Sequence, residues 1–163
     1  MRPGLEVFET SRKPAPCLGL RTRESIPRGG FVGHYRGELK MEHEVETSDR
    51  DAPATQKTYA FNLGDWAART DATRLLSVDA RHFGNALRFA NDSRGSVEPN
   101  CDVVHILSPF EDARTPRFHV VCMFALRDVA PGEELLYDYG GRLEASVYSR
   151  GNIVLNEDEF LLV

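Results

Sequence analysis

The stretch that most constrains this chain is residues 78–101, VDARHFGNALRFANDSRGSVEPNC. It has no clean helical or strand period. Gly84, Asn85, Asn91, Asp92, Ser93, Gly95, Pro99 and Asn100 are turn formers or side chains that bond to nearby backbone. Val78, Ala80, Phe83, Ala86, Leu87, Phe89 and Ala90 are interleaved with them. A surface loop rarely holds so many apolar groups, and a core strand rarely holds so many Asn and Asp. One reading is an irregular segment buried in protein, with its backbone polar groups satisfied locally. Binding chemistry is often placed on such backbone. The other reading is an ordinary helix from about Phe83 to Ala90 followed by a loop.

The 163 residues suit one domain, 1–163, with a sizeable core. The net charge of −5 is spread along the chain, and no basic stripe points to direct nucleic-acid binding. Mild acidity is matched to a basic peptide partner. No apolar run approaches the roughly 18 residues of a membrane span, so no membrane association is expected. Cys17, Cys101 and Cys122 lie far apart without a CxxC, which fits a reducing compartment and argues against both a disulfide framework and a structural zinc site. The five histidines, His34, His43, His82, His105 and His119, show no ligand spacing, and no metal is expected.

Along the chain, LEVF at 5–8 opens a short strand, and Lys13 to Pro16 is turn-like. Cys17-Leu18-Gly19-Leu20-Arg21 reads as a hairpin-like turn whose glycine permits close backbone approach. A turn over 24–30 precedes a strand over Phe31–Leu39, and Lys40 to Asp51 is helix-permissive. In Thr58–Leu63 the alternation of Tyr59, Phe61 and Leu63 marks a half-buried strand. Short strands are also expected over 75–78 and 102–107. Arg117 to Val129 is apolar on both faces, as in a central strand covered on both sides. A turn at 130–133 leads to a last strand, Glu134 to Tyr139. Short strands at close spacing give a mostly β domain.

Tyr137 and Tyr139 fall on one face of that last strand, roughly 6.5–7 Å apart at about 3.3 Å per residue. Packing alone would explain them. No nucleophile–base pair, phosphate loop or metalloprotease motif is present.

Four groups of residues taken together resemble the SET domain of protein lysine methyltransferases. They are Leu18-Gly19-Leu20 with Ile26-Pro27-Arg28-Gly29 and Tyr35-Arg36-Gly37-Glu38; Tyr59-Ala60-Phe61; Val78-Asp79-Ala80-Arg81 through Arg88-Phe89-Ala90-Asn91-Asp92-Ser93 to Pro99-Asn100; and Pro131-Gly132-Glu133-Glu134-Leu135-Leu136-Tyr137-Asp138-Tyr139. The resemblance covers residues 15–141 as the SET core and leaves 142–163 as a C-terminal segment. It implies a β-clip-like fold of small curved sheets with a pseudoknot near the C-terminus, where the chain end threads beneath 88–101. It implies S-adenosylmethionine as cofactor, with Leu18, Gly19, Leu20, Tyr59, Arg88, Asn91, Asp92 and Tyr139 around it. Asn91 would use its side chain as well as its backbone. Tyr59 and Tyr139 would border a lysine channel, Tyr139 in the position usually named catalytic, and Tyr137 would set how many methyl groups are added. The Leu135-to-Arg142 run is similar to monomethylating histone H4 enzymes, so the implied product is monomethyl-lysine, on a histone tail or another Lys/Arg-rich protein in the nucleus.

The sequence departs from that pattern. The family's Asn-His-Ser-Cys-x-Pro-Asn becomes Asn91-Asp92-Ser93, then Arg94 to Glu98, then Pro99-Asn100, so Asp92 replaces His and the loop is three residues longer. Arg94 takes the place of a zinc-binding cysteine and no cysteine-rich tail follows, so residues 142–163 are expected to close the site without zinc, with Tyr148 or Phe160 near the cofactor. Two alternatives stay open: an inactive SET module that binds peptides or scaffolds a complex, and a methyltransferase acting on a non-histone protein.

Overall fold

The computed structural model describes residues 4–11, 17–51, 59–62, 76–93, 97–107 and 119–139. The expectations for Lys13 to Pro16, Tyr148, Phe160 and the C-terminal segment lie outside them. The chain runs as β1 (Leu5–Thr10), β2 (Cys17–Thr22), β3 (Phe31–His34), β4 (Glu38–Met41), α1 (Glu42–Asp51), β5 (Ala60–Asn62) and β6 (Leu76–Asp79). A 3-10 helix over Ala86–Phe89 follows, then β7 (Asn91–Asp92), β8 (Cys101–Leu107), β9 (His119–Ala125) and β10 (Leu136–Tyr137). The strands form four small sheets ordered β1-β2, β3-β9-β8, β4-β6-β5 and β10-β7.

β9 is the central strand that its two apolar faces predict. Val121, Cys122, Met123, Phe124 and Ala125 are all buried. Val121, Met123 and Ala125 join the main core with Leu20, Val32, Leu87, Val129 and Leu135. Cys122 and Phe124 point the other way, into a second cluster with Phe31, Val104 and Ile106. All three cysteines are free thiols.

The stretch at 17–21 is not a turn. It is continuous strand, antiparallel to β1 in register from Leu5↔Thr22 to Thr10↔Cys17. Its glycine still serves a close approach. A Cβ on Gly19 would stand 2.7 Å from Glu134 Oε1 and 3.0 Å from the Phe8 ring. Local turn propensity lost here to a complete ladder of strand bonds, a tertiary effect invisible in five residues.

The opening stretch is an irregular segment and not a long helix. Only Ala86–Phe89 is helical, as one 3-10 turn, and Leu87 fixes it in the core. Asn85 extends its amide to the His34 carbonyl at 2.7 Å, so a turn-type side chain satisfies buried backbone across the fold. The buried Asp79 carboxylate takes the Arg81 N–H at 2.8 Å and the Lys40 ammonium at 2.8 Å. A buried charge persists only with such partners.

The chain end is threaded. β10 pairs in parallel with β7, Leu136 opposite Asn91 and Tyr137 opposite Asp92. The Ser93 N–H donates to the Tyr137 carbonyl at 3.0 Å. On the other side, the Asn100 N–H donates to the Leu136 carbonyl at 3.1 Å. The Asn100 side chain accepts the Leu136 N–H at 2.8 Å and donates to the Glu134 carbonyl at 2.8 Å and to Glu133 Oε1 at 3.0 Å. Residues 91–93 and 100 thus clasp one strand between them. This is the pseudoknot that the family pattern implies.

The turn that feeds the threaded strand is set by Gly132, at φ 83°, and by Glu133. The Glu133 carboxylate accepts from the Arg127 guanidinium, from the Ala130 N–H at 3.0 Å and from Asn100. The Arg127 bond first, then the Ala130 and Asn100 donors, hold its pKa down at about 2, against an ordinary 4.5. A depressed folded-state pKa stabilises fully above the unfolded value, and the contribution fades as pH falls from about 4.5 to about 2. Its size is on the order of 2 kcal/mol after solvent screening is allowed for. Chemical denaturation at pH 6 and pH 3 is expected to show a smaller acid loss in Glu133→Gln than in the unaltered protein; equal acid losses would count against this role.

Candidate active site

The threaded strand places a cluster of aromatic rings at one place. Tyr137 is buried and its ring stacks on Phe61, centroids 5.8 Å apart and 23° between planes. Phe61 meets the edge of Tyr35 at 4.5 Å. Tyr35, also buried, donates its hydroxyl to the Tyr59 carbonyl at 2.7 Å, which locks β5 against the strand end at His34. The rings of Tyr137 and Tyr139 are 4.6 Å apart, closer than the backbone spacing alone suggests, because both lean into the same gap. Tyr59 faces Phe89 edge-on at 6.4 Å.

The hydroxyls form a chain. Tyr137 donates to the Tyr139 hydroxyl, and Tyr139 donates to the carbonyl of buried Ala90 at 2.7 Å. Tyr139 is 43% exposed, yet its hydroxyl end is packed inward. Desolvation there pushes its pKa up to about 12, opposed by the Tyr137 hydrogen bond and aided by the nearby Asp92 charge. Burial, then the neighbouring phenols, raise Tyr137 well above the ordinary phenol value, and burial raises Tyr35 likewise. All three phenols are therefore protonated at neutral pH, and they hydrogen-bond without serving as bases.

A second feature borders the first. The Asn91 side chain donates to the Leu18 carbonyl at 3.0 Å and to Glu134 Oε1 at 2.9 Å. Both hydrogens of its amide are thereby used inside the protein. Its Oδ1 accepts from the Cys17 thiol at 3.9 Å. The Leu18 side chain is 44% exposed beside it. This rim combines the exposed Leu18 side chain and the part-exposed Tyr139 with the polar Asn91 and its neighbour Asp92.

The predicted site residues fall into three groups. Tyr59, Tyr137, Tyr139, Asn91, Asp92 and Leu18 are brought together. Leu20 and Gly19 are buried in β2, with Leu20 in the core and its carbonyl taken by the Leu135 N–H at 2.7 Å. Arg88 braces the chain: it donates to the Ala80 carbonyl at 2.9 Å and lies over the Phe89 ring at 4.8 Å. Residue-by-residue reading assigned no role to Tyr35, Phe61, Phe89, Cys17 or Glu134. Tyr35 and Phe61 looked like any half-buried strand aromatics, and only long-range pairing makes them walls of one cluster.

Residues 18–140 match the SET domain family. The chain belongs to that family. Histone-lysine N-methyltransferase SETMAR of Rattus norvegicus is 34% identical over 146 residues, covering 90% of this chain and 42% of the relative. The H3 lysine-9 specific histone-lysine N-methyltransferase SUVH5 of Arabidopsis thaliana is 33% identical over 149 residues, covering 91% of this chain and 16% of the relative. The chain thus spans well under half the length of either. Among solved structures, KRYPTONITE in complex with mCHH DNA, H3(1-15) peptide and SAH superposes with TM-score 0.59 at 31% identity, over 90% of this chain and 25% of that one. The ctPRC2 structure, in an autoinhibited conformation bound to S-adenosylmethionine, superposes with TM-score 0.66 at 24% identity, over 86% of this chain and 15% of that one, and shares the fold.

Proposed function

We propose that this SET domain is an S-adenosylmethionine-dependent protein lysine N-methyltransferase, acting on a histone tail in the nucleus and stopping at one methyl group. The observation that carries this reading is the phenol cluster of Tyr137 and Tyr139 on the threaded strand, directly beside the Leu18–Asn91 rim. The named relatives are histone-lysine methyltransferases, and one solved neighbour holds a histone H3 peptide, which supports a Lys/Arg-rich substrate. The net charge of −5 is compatible with such a partner.

The residues present fit the cofactor. S-adenosylmethionine supplies an electrophilic methyl on a sulfonium centre and carries a flat base, hydroxyls and an ammonium. Leu18 offers apolar surface, Asn91 Oδ1 an acceptor, and Asp92 a negative charge suited to a cation. Transfer is an in-line displacement, so the protein's work is chiefly positioning. The attacking lysine must be neutral, which costs about 4–5 kcal/mol at pH 7 from a pKa near 10.4. Apolar walls such as Phe61 and Phe89 disfavour the ammonium form. Tyr139, a phenol with its pKa near 12, is no base; it orients the amine and fixes the polarity of the site. The proton leaves by water.

Tyr137 sets the product. Its hydroxyl points to Tyr139 and fills the space that a second methyl would need. Tyr137→Phe keeps the ring stack on Phe61 and opens that space. Mass spectrometry of the product peptide is expected to shift from monomethyl to a mixture with di- and trimethyl-lysine; an unchanged monomethyl product would sink the assignment. The function itself is tested with labelled S-adenosylmethionine on a panel of histones, nucleosomes and non-histone basic proteins. Label on a histone lysine is the expected result. Label only on a non-histone protein overturns the substrate, and cofactor binding absent by calorimetry overturns the enzyme in favour of an inactive module.

A further inference from the structure

Asp92 stands where the family pattern has His, and the threaded strand decides where its charge falls. In the parallel ladder of β7 and β10 it lies opposite Tyr137, one step past Asn91 opposite Leu136. Successive side chains of a strand leave on opposite faces. Asn91 turns to the Leu18 carbonyl and Glu134, so Asp92 belongs to the other face, with Tyr137. Tyr139 shares that side. Its ring lies 4.6 Å from that of Tyr137, and its hydroxyl reaches the carbonyl of Ala90, two residues before Asp92. Burial is the main cause of the raised Tyr137 and Tyr139 pKa values, and the Asp92 charge adds to both.

The same phenols are faced by groups from other elements. Tyr59 before β5 and Cys17 of β2 act on Tyr139, and Tyr35 beyond β3 acts on Tyr137. Asp79 of β6 acts on Tyr35 and is matched by Lys40 at 2.8 Å. Arg88 in the 3-10 turn donates to the Ala80 carbonyl at 2.9 Å, with its guanidinium 4.8 Å from the Phe89 ring centre and 6.0 Å from that of Tyr59. A lysine that reaches Tyr139 arrives as an ammonium, its ordinary pKa being about 10.4. A carboxylate nearby favours that charged form. It therefore strengthens binding of the cation and delays the loss of its proton.

We infer that Asp92 is a specificity-determining residue on the lysine side of the site: its carboxylate draws the cationic side chain of the substrate to the phenols and keeps it charged to higher pH. The lysine gives one proton to water, and its freed lone pair then takes the methyl as the carbon–sulfur bond of the sulfonium breaks. Asp92 acts on the first of these steps and forms no covalent bond. The inference rests on the methyltransferase reading above.

The test pairs kinetics with binding on the whole chain. Peptides of the core-histone tails serve as substrates with labelled S-adenosylmethionine, and each is also made with uncharged norleucine in place of lysine. In Asp92→Asn, KM for a tail that takes label is expected to rise about three- to tenfold. Its kcat at pH 7 is expected to rise by a similar factor, with the pH midpoint of kcat lower by about half to one unit. The sign follows from the charge: without the carboxylate the bound ammonium loses its proton more readily. Calorimetry with S-adenosylhomocysteine present is expected to show the lysine peptide weakened about three- to tenfold and the norleucine peptide within about twofold. Asp92→Glu keeps the charge and is expected to keep the unaltered midpoint. If Asp92→Asn lacks a cooperative melting transition, Asp92→His is read in its place above pH 8, where imidazole is neutral. Both peptides weakened alike, or kcat lowered with the midpoint unmoved, overturns the inference, as does no change in KM and midpoint. Weaker S-adenosylmethionine with unaltered S-adenosylhomocysteine and an unmoved midpoint assigns the charge to the cofactor and overturns it too. An unaltered chain that neither labels nor binds any tail overturns the function reading, and this inference with it.

Discussion

Asn100→Ala is expected to destabilise the fold by about 3–5 kcal/mol. Asn100 is 1% exposed and its side chain makes three hydrogen bonds to the threaded strand. Truncation removes all three and leaves the Leu136 N–H and the Glu134 carbonyl buried without those partners. Each stranded group costs about 1–3 kcal/mol. Against a domain stability of roughly 5–15 kcal/mol, that is a third or more of the total. The effect is also directional, because the freed segment is the one that carries Tyr137 and Tyr139. Urea denaturation with circular dichroism measures it, and a loss under about 1 kcal/mol would mean that the clasp does not depend on this side chain. Asn100→Asp is expected to be no milder, since a carboxylate there faces Glu133 and the Glu134 carbonyl with no donor to offer.

Tyr139→Phe is expected to lower kcat by about 10²–10³-fold, at a stability cost of about 1–3 kcal/mol that leaves the domain folded. The ring, its contact with Tyr137 and its backbone all remain; only the hydroxyl is lost. That hydroxyl donates to the Ala90 carbonyl and accepts from Tyr137. Removing one preorganised polar group at a reacting centre commonly costs this much in rate. The structural cost comes from the buried Ala90 carbonyl, which loses this donor. Single-turnover methyl transfer at saturating cofactor and peptide reads the effect. A rate within threefold of the unaltered enzyme would remove Tyr139 from the chemistry and shift attention to Tyr59.

Much of the scaffold was legible without coordinates. β9 announced itself through apolar residues on both faces, and the turn before β10 through Pro131-Gly132. The mixture of Asn, Asp and apolar residues over 78–101 announced buried irregular backbone, although period analysis could not separate that from a short helix. Leu87 in the core and Asn85 on the His34 carbonyl decided the matter. The 17–21 segment was misread as a turn because its pairing partner β1 is set by a register that five residues cannot express. The phenols of Tyr137 and Tyr139 were legible as a pair, but their walls were not. Tyr35, just past the end of β3, and Phe61 in β5 come from separate parts of the chain and meet them only in space.

The sequence by itself determined the membership of the fold: the order and spacing of Leu18-Gly19-Leu20, Arg88 to Ser93, Pro99-Asn100 and the run from Pro131 to Tyr139 are local chemistry, written in consecutive residues. Only the tertiary structure decided what those pieces do to one another. Threading puts Asn100 and Ser93 on opposite sides of one strand and joins the Asn91 amide to Leu18, Glu134 and Cys17. The physical reason is that a hydrogen bond's direction is fixed by all its partners together, and here those partners lie up to 73 residues apart in the chain.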